Sequence, residues 1–281
     1  MLSPDYPVRQ VCRVLEYARS RHYYQPRTRA EAPLRAAIVR LAEAWPTYGY
    51  RRITALLRRE GLQVNRKHVA RLMREMRLQG RRPRQRPRTT HSGHAYPRYP
   101  NLVQSLTVVR PDRVWVGAMT YVRWRDECVY LAVLMDVYTR GIRGWHLSRH
   151  LDQSLTLTAL QRALVQSRPE IHHSDQGVQY AATAYIHTLR AHDVQISMAA
   201  IGEATENGDA ERLMRTIKEE EVTLHESANC REAYQHLGRF LDEVYQHKRI
   251  HSALGYLTPA EFETEWQQRQ ARTTSVQLET P

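Results

Sequence analysis

The sequence predicts a mixed α/β domain with helices on both faces of its sheet, preceded by a basic, all-helical region. Three observations carry that expectation. Apolar residues recur at helical spacing through Met76, and from Val114 they give way to strand-like runs rich in Val, Tyr, Trp and Leu. Between the two lies Gly80 to Pro100, with Arg81, Arg82, Arg84, Arg86 and Arg88, four prolines and almost no aliphatic residue, a composition that cannot bury a core of its own. Charge divides at the same place. Residues 1–110 hold 24 Lys and Arg against 6 Asp and Glu, a net of +18; residues 111–281 hold 18 against 23, a net of −5, and together these give the +13 of the whole chain. A chain of 281 residues is long enough for two compact domains. The expected divisions are a helical region over 1–79, a basic linker over 80–110, an α/β core over 111–225 and a helical extension with its tail over 226–281.

In the front half, Val8 to Tyr24 is expected to form one helix on Val11, Val14, Leu15 and Ala18, ended by Pro26. Leu34 to Ala44 forms a second, with Leu34, Ile38 and Leu41 on one face. Tyr48-Gly49-Tyr50-Arg51-Arg52-Ile53 opens a third, burying Ile53, Leu56 and Leu57, with Gly61 as its terminator. Asn65 caps a fourth, Arg66 to Arg77, whose inner face is Val69, Leu72, Met73 and Met76. Two short helices joined around a glycine make a helix-turn-helix pattern. Nearly all the cations here are Arg, which suits phosphate contact, so the region reads as a footprint for a polyanion. On a DNA duplex, Arg66, Lys67, Arg71 and Arg74 would meet phosphates or base edges, and Arg82, Arg84 and Arg86 of the linker would track the backbone.

In the back half, Val114 to Tyr121, Cys128 to Met135 and Arg140 to His146 read as three successive strands. Asp152 caps a helix from Gln153 to Ser167, and Ile171 to Ser174 is a short strand ending at Asp175. Ala181 to His192 is helical, Gln195 to Met198 a strand, and a long helix runs from Gly208 to about Leu224. Thr258-Pro259-Ala260-Glu261 starts a last helix, to about Arg269, packed by Phe262 and Trp266, and the tail from Thr273 is expected to be disordered.

The chemistry follows from this placement. Asp175 at a strand end and Glu211 on a helix across that edge offer hard oxygens suited to Mg²⁺ or Mn²⁺. Two such ions serve in-line displacement at phosphorus. Lys218 lies two helical turns beyond Glu211 on the same face and would hold a phosphate. One of His172 and His173 would face the site and contact phosphate, the other being packed. A third carboxylate belongs after the Trp-bearing strand, where the chain has Ala118. No apolar run approaches membrane-spanning length, no secretory signal is recognised, and three scattered cysteines fit reduced thiols, so a cytoplasmic location is expected.

The order of motifs is specific. Trp115-x-x-Ala118-x-Thr120-Tyr121, Asp136-x-Tyr138-Thr139-Arg140, His172-His173-Ser174-Asp175-x-Gly177-x-Gln179-Tyr180, Glu206-Asn207-Gly208-x-Ala210-Glu211 and Arg249-x-His251-Ser252-Ala253-Leu254-Gly255-Tyr256-x-Thr258-Pro259 follow one another. The chain resembles a bacterial insertion-sequence transposase over nearly its whole length, specifically the second-reading-frame product of the Asp-Asp-Glu retroviral-integrase superfamily. The resemblance implies an α/β ribonuclease-H-like (integrase) catalytic core behind an all-helical helix-turn-helix DNA-binding region. It implies metal-dependent cleavage that frees a 3′-hydroxyl at the element ends, then transfer of that hydroxyl to new DNA. It implies as partners double-stranded DNA (terminal inverted repeats and target), the first-frame product by fusion or association, and a second copy of the chain, in a nucleoid-associated setting. Tyr50, Arg51, Arg52, Lys218, Arg249 and His251 join the expected DNA contacts.

One departure matters. The family's first Asp falls on Ala118, and a methyl group binds no cation, so the two-metal site is expected to be impaired and this version inactive. Asp136 is a nearby acid that is not expected to substitute. Two alternatives stay open: a non-catalytic, domesticated DNA-binding protein or repressor of element ends, and a nuclease of the same fold acting on RNA–DNA hybrids. The long basic arm and linker disfavour the second of these.

Overall fold

The computed structural model describes residues 6–23, 31–80, 97–124, 127–200, 207–225 and 229–278. The helical region holds α1 (Val8–Val14), α2 (Arg19–His22), α3 (Ala32–Ala44), α4 (Tyr50–Arg59) and α5 (Arg66–Glu75). Ile38 and Leu41 of α3, Ile53 and Leu57 of α4, and Val69, Leu72 and Met73 of α5 close one core around Tyr48. Local chemistry sets the ends: the Asn65 side chain accepts from the Lys67 N–H at 2.8 Å, and Gly61 takes a φ of +86° after α4. The single helix expected over Val8 to Tyr24 is instead α1 and α2, broken at Glu16, whose φ is +48°. The stripe expected to drive it is not buried: Val14 and Leu15 are 79% and 57% exposed, and Cys12 is the residue of α1 that is buried.

The core sheet consists of β1 (Val114–Trp124), β2 (Glu127–Asp136), β3 (Ile142–Ser148), β4 (Ile171–Ser174) and β5 (Gln195–Met198), in the order β3-β2-β1-β4-β5. The first three form an antiparallel meander; β4 and β5 add in parallel on the other side of β1. Successive residues of the central β1 face opposite layers. Val116, Ala118 and Val122 pack against α9 (Gly208–Ile217) and, beyond it, α10 (Cys230–Arg239). Trp115 packs with α6 (Gln153–Leu164) and α8 (Thr183–Ala191), which follows the short α7 (Val178–Ala181). The helix α6 lies so close to β3 that a Cβ on Gly144 would collide with the Ala159 carbonyl oxygen.

Three more elements depart from the expected ones. The helix beginning at Gly208 does not stay α-helical to Leu224; it passes into a π-helical segment at Lys218–Val222. The last helix, α11 (Pro259–Leu278), continues well past Arg269 and through Thr273. Its start is a reciprocal cap, with the Glu261 N–H donating to Thr258 Oγ1 at 3.2 Å and the Thr258 N–H to Glu261 Oε2 at 2.9 Å. Finally, the end of the expected linker is held by the core: the Leu102 N–H donates to Ser197 Oγ at 2.9 Å, the Met198 N–H donates to the Pro100 carbonyl, and Tyr99 packs beside α8. The edge strand β5 thereby has its open side partly covered.

The C-terminal extension returns to the helical region. Ile250 enters the core of α3 to α5, and its N–H donates to the Tyr48 hydroxyl at 3.3 Å. Among the described residues no helix is long and apolar enough to cross a membrane.

Candidate active site and DNA-facing surface

Parallel pairing sets Val116 opposite His173, so two residues further along each strand Ala118 and Asp175 are level, where β4 ends. Ala210 of α9 lies in the same core layer as Ala118, and Glu211, next in sequence, is exposed in the first turn of that helix. Position 118 and Asp175 thus follow the last paired residues of β1 and β4, and Glu211 follows the Ala210 that packs in the layer of Ala118. Ala118 itself is 8% exposed and contributes a methyl group to the core. The donor set left for a cation is thus two carboxylates, a poor fit for a two-metal centre. Among the described residues no three His, Cys, Asp or Glu side chains come together as a metal cluster.

Asp175 is half-buried, and its Oδ1 accepts from the Gly177 N–H at 3.0 Å. Burial pushes its pKa up from 3.8, with the Gly177 hydrogen bond pulling partly back, and no Lys or Arg pairs with it among the described residues. A carboxyl whose folded pKa is raised adds stability below the unfolded pKa and loses it as pH rises through the folded value. At neutral pH the ionised group therefore opposes folding. Asp175→Asn keeps an acceptor for Gly177 and is expected to stabilise the metal-free protein by about 0.5–2 kcal/mol at pH 7, with the gain shrinking towards pH 4. Urea midpoints at the two pH values measure this; a midpoint that falls at pH 7 contradicts an uncompensated charge.

Asp136 is kept out of the site. It is fully buried; its Oδ1 accepts from the Thr139 N–H and Oγ1 at 2.6 and 2.9 Å, and its Oδ2 from the Asp112 N–H at 2.7 Å. It pairs across the sheet with Trp115, three residues from Ala118, which is about 10 Å of strand. The expectation that His172 or His173 faces the site is corrected: both are 1% exposed. His172 lies 2.9 Å from the Tyr185 hydroxyl and is pushed down to about 3 by burial, while His173 meets Ser197 Oγ at 2.8 Å. The Lys218 ammonium sits 4.8 Å from the centre of the Tyr121 ring, on the strand that carries Ala118.

On the helical region, Arg66, Lys67 and Arg74 are exposed on α5 with no acidic partner among the described residues. Arg71 is engaged instead, at 2.5 Å from Glu31 and 2.6 Å from Glu75. Its hydrogen bond is the main reason that Glu31 is held down to about 2, with His68 and Arg35 adding to it. Tyr50 and Arg51 are exposed neighbours, the guanidinium 5.9 Å from the ring centre. Arg82, Arg84 and Arg86 lie outside the described residues. Arg249, expected to contact DNA, is corrected to a buried structural cation: its side chain is 3% exposed and forks onto Glu220 at 2.6 and 2.7 Å. Arg52 reaches the same carboxylate, and His251 is half-buried against Arg249.

Both halves of the chain are similar to known proteins. Residues 28–86 match the HTH-like domain family, and residues 108–204 and 192–259 match two integrase core domain families. A protein of insertion element IS600 from Shigella sonnei, described as an uncharacterized 31 kDa protein, is 33% identical over 93% of this chain and 100% of its own length. The transposase for insertion sequence element IS904 of Lactococcus lactis subsp. lactis (strain IL1403) is 34% identical over 77% of this chain and 87% of its own. The chain belongs to the insertion-sequence transposase family. Its fold is accordingly an α/β ribonuclease-H-like integrase core, with α3 to α5 as the HTH-like part. Among solved structures, the HTLV-2 integrase catalytic core domain in complex with magnesium is 15% identical over 54% of this chain and 97% of that chain, at a TM-score of 0.44.

Two features of this transposase escaped the sequence. Arg140 in the β2–β3 turn pairs with Asp209, two residues before Glu211, and so ties the start of α9 to the sheet. Glu220 belongs to an acidic run, Glu219-Glu220-Glu221, that reads as a solvated helix face, yet its side chain is 8% exposed.

Proposed function

We propose that this chain is the catalytic subunit of a transposase that cleaves insertion-sequence ends to free a 3′-hydroxyl and transfers it to target DNA, here silenced by Ala118. The observation that supports the reading most is the gathering of position 118, Asp175 and the start of α9 at one end of a family-matched sheet. With a carboxylate restored at position 118, Asp175 and Glu211 would help hold Mg²⁺ or Mn²⁺, which when bound would favour attack by a hydroxyl and departure of the leaving oxygen. Arg66, Lys67 and Arg74 of α5 meet the duplex; Tyr50, Arg51 and the linker arginines extend the contact, and Lys218 steadies a phosphate near the carboxylates. The first-frame product and a second copy of the chain complete the assembly on paired ends. The low exposure of Ala118 also favours a second reading, a non-catalytic occupant or repressor of the same ends.

The deciding experiment compares this chain with Ala118→Asp on labelled DNA carrying the element's terminal repeat, in Mg²⁺ or Mn²⁺, with the first-frame product supplied. Both are expected to bind, and only the variant to cleave and join. Reaction by the unaltered chain refutes the site. Binding by both with reaction by neither selects the occupant reading.

A further inference from the structure

Glu220 stands where three parts of the molecule meet. Arg249 of the C-terminal extension grips it with both arms of its guanidinium, at 2.6 and 2.7 Å. Arg52 of α4 reaches it from the helical region at 3.4 Å. Their side chains are 3%, 19% and 8% exposed for Arg249, Arg52 and Glu220, so water screens the cluster little. Each guanidinium is backed by a ring: Arg52 lies 4.8 Å from the centre of Tyr48, and Arg249 5.6 Å from that of Tyr245. Arg249 also donates to the His251 ring at 3.1 Å, and burial together with Arg249 and neighbouring arginines pushes that imidazole down to about 2, so it is neutral and accepts.

The carboxylate comes from the helix that carries Glu211. The backbone passes directly from α9 into the π-helical segment Lys218–Val222, which carries Glu220. Glu220 lies nine positions after Glu211 on this continuous rod. A rod fixed at one end by the Arg140–Asp209 pair and at the other by Glu220 has little freedom to slide or roll.

We infer that Glu220 is a positioning residue for Glu211, and that through Arg52 it couples the DNA-reading helical region to the catalytic helix. The inference rests on the transposase reading for its functional meaning, but its structural content can be tested without it. Arg52 is the separable partner, because it makes the single, longer contact while Arg249 keeps the fork. Arg52→Gln removes only the link from the helical region, and Arg52→Lys restores a cation beside Tyr48.

The experiment uses the full chain. Hydrogen exchange over residues 208–222 is expected to quicken about ten-fold in Arg52→Gln, with β1 and β2 amides unchanged, and to return most of the way in Arg52→Lys. In the Ala118→Asp protein, Arg52→Gln should lower the single-turnover joining rate about ten-fold at saturating end DNA while the Kd for that DNA stays the same. Unchanged exchange over 208–222 overturns the inference. So does a raised Kd with an unchanged saturated rate, which makes Arg52 a DNA contact. If Ala118→Asp joins no strands at all, the transposase reading fails, and the exchange comparison still decides whether α4 holds α9.

Discussion

Ala118→Asp is expected to destabilise the metal-free protein and to make it responsive to Mn²⁺. Position 118 is 8% exposed and shares its core with Val116, Val133, Ala210 and Leu213. It is level with Asp175, whose carboxyl is already pushed up by burial. A second carboxylate there would be buried as well, at the same end of the sheet. The expected cost is about 1–3 kcal/mol at pH 7. A divalent ion reverses both penalties, and at a hundred-fold excess over its Kd it returns about 2.7 kcal/mol. The unaltered chain, with one donor fewer, should gain much less from the same ion. Thermal unfolding of both proteins with and without Mn²⁺ reads this before any DNA is added. On end DNA the restored carboxylate is expected to raise strand cleavage by about 10²–10³-fold, the scale of losing a positioned electrostatic group from a transition state. Equal Mn²⁺ shifts in the two proteins would sink the assignment of position 118 to the metal site.

How far the sequence carried depends on the range of the interactions involved. β4 and β5 have the ends that the sequence predicts, and the caps at Asn65, Asp152 and Thr258 act within three residues of themselves. Asp175 was legible as the residue that closes β4, because the strand reading of Ile171–Ser174 places it there. The break at Glu16 was not, because Val11, Val14 and Leu15 have helical spacing whether or not anything packs on them. Arg52, Arg249 and His251 were read as surface cations and contacts, since an Arg-rich motif looks the same whether its partner is a phosphate or a Glu 168 positions away. Likewise, nothing in Lys218-Glu219-Glu220-Glu221-Val222 announces that the turn widens and takes two of three glutamates, Glu220 and Glu221, inward. Those features arise only when α4, α9 and the C-terminal extension are brought together.

Glu220→Gln should therefore be among the most damaging single changes outside the catalytic positions, at about 3–5 kcal/mol of stability. Two guanidiniums share that one carboxylate, and neither can shed its charge, because Arg stays protonated when buried. Burial and the nearby Arg249 already act against the charged form of Arg52, so the pair repels once Glu220 is neutral. His251 offers no relief, since it is neutral and carries no negative charge. Arg52→Gln, by contrast, leaves the Arg249 fork intact and should cost about 1 kcal/mol. The decisive comparison is Glu220→Gln with Arg249→Met added. If the cost of the single change is an orphaned buried charge, removing Arg249 recovers part of it, and the urea midpoint of the double variant lies above that of Glu220→Gln alone. If the two losses simply add, the junction is held by apolar packing around Tyr48, Tyr245 and Ile250, and the ions are passengers. The first outcome gives the cluster a reason to exist despite its desolvation cost. An apolar junction would hold α4 against α9 without fixing the roll of the helix that bears Glu211, whereas a forked ion pair sets that angle.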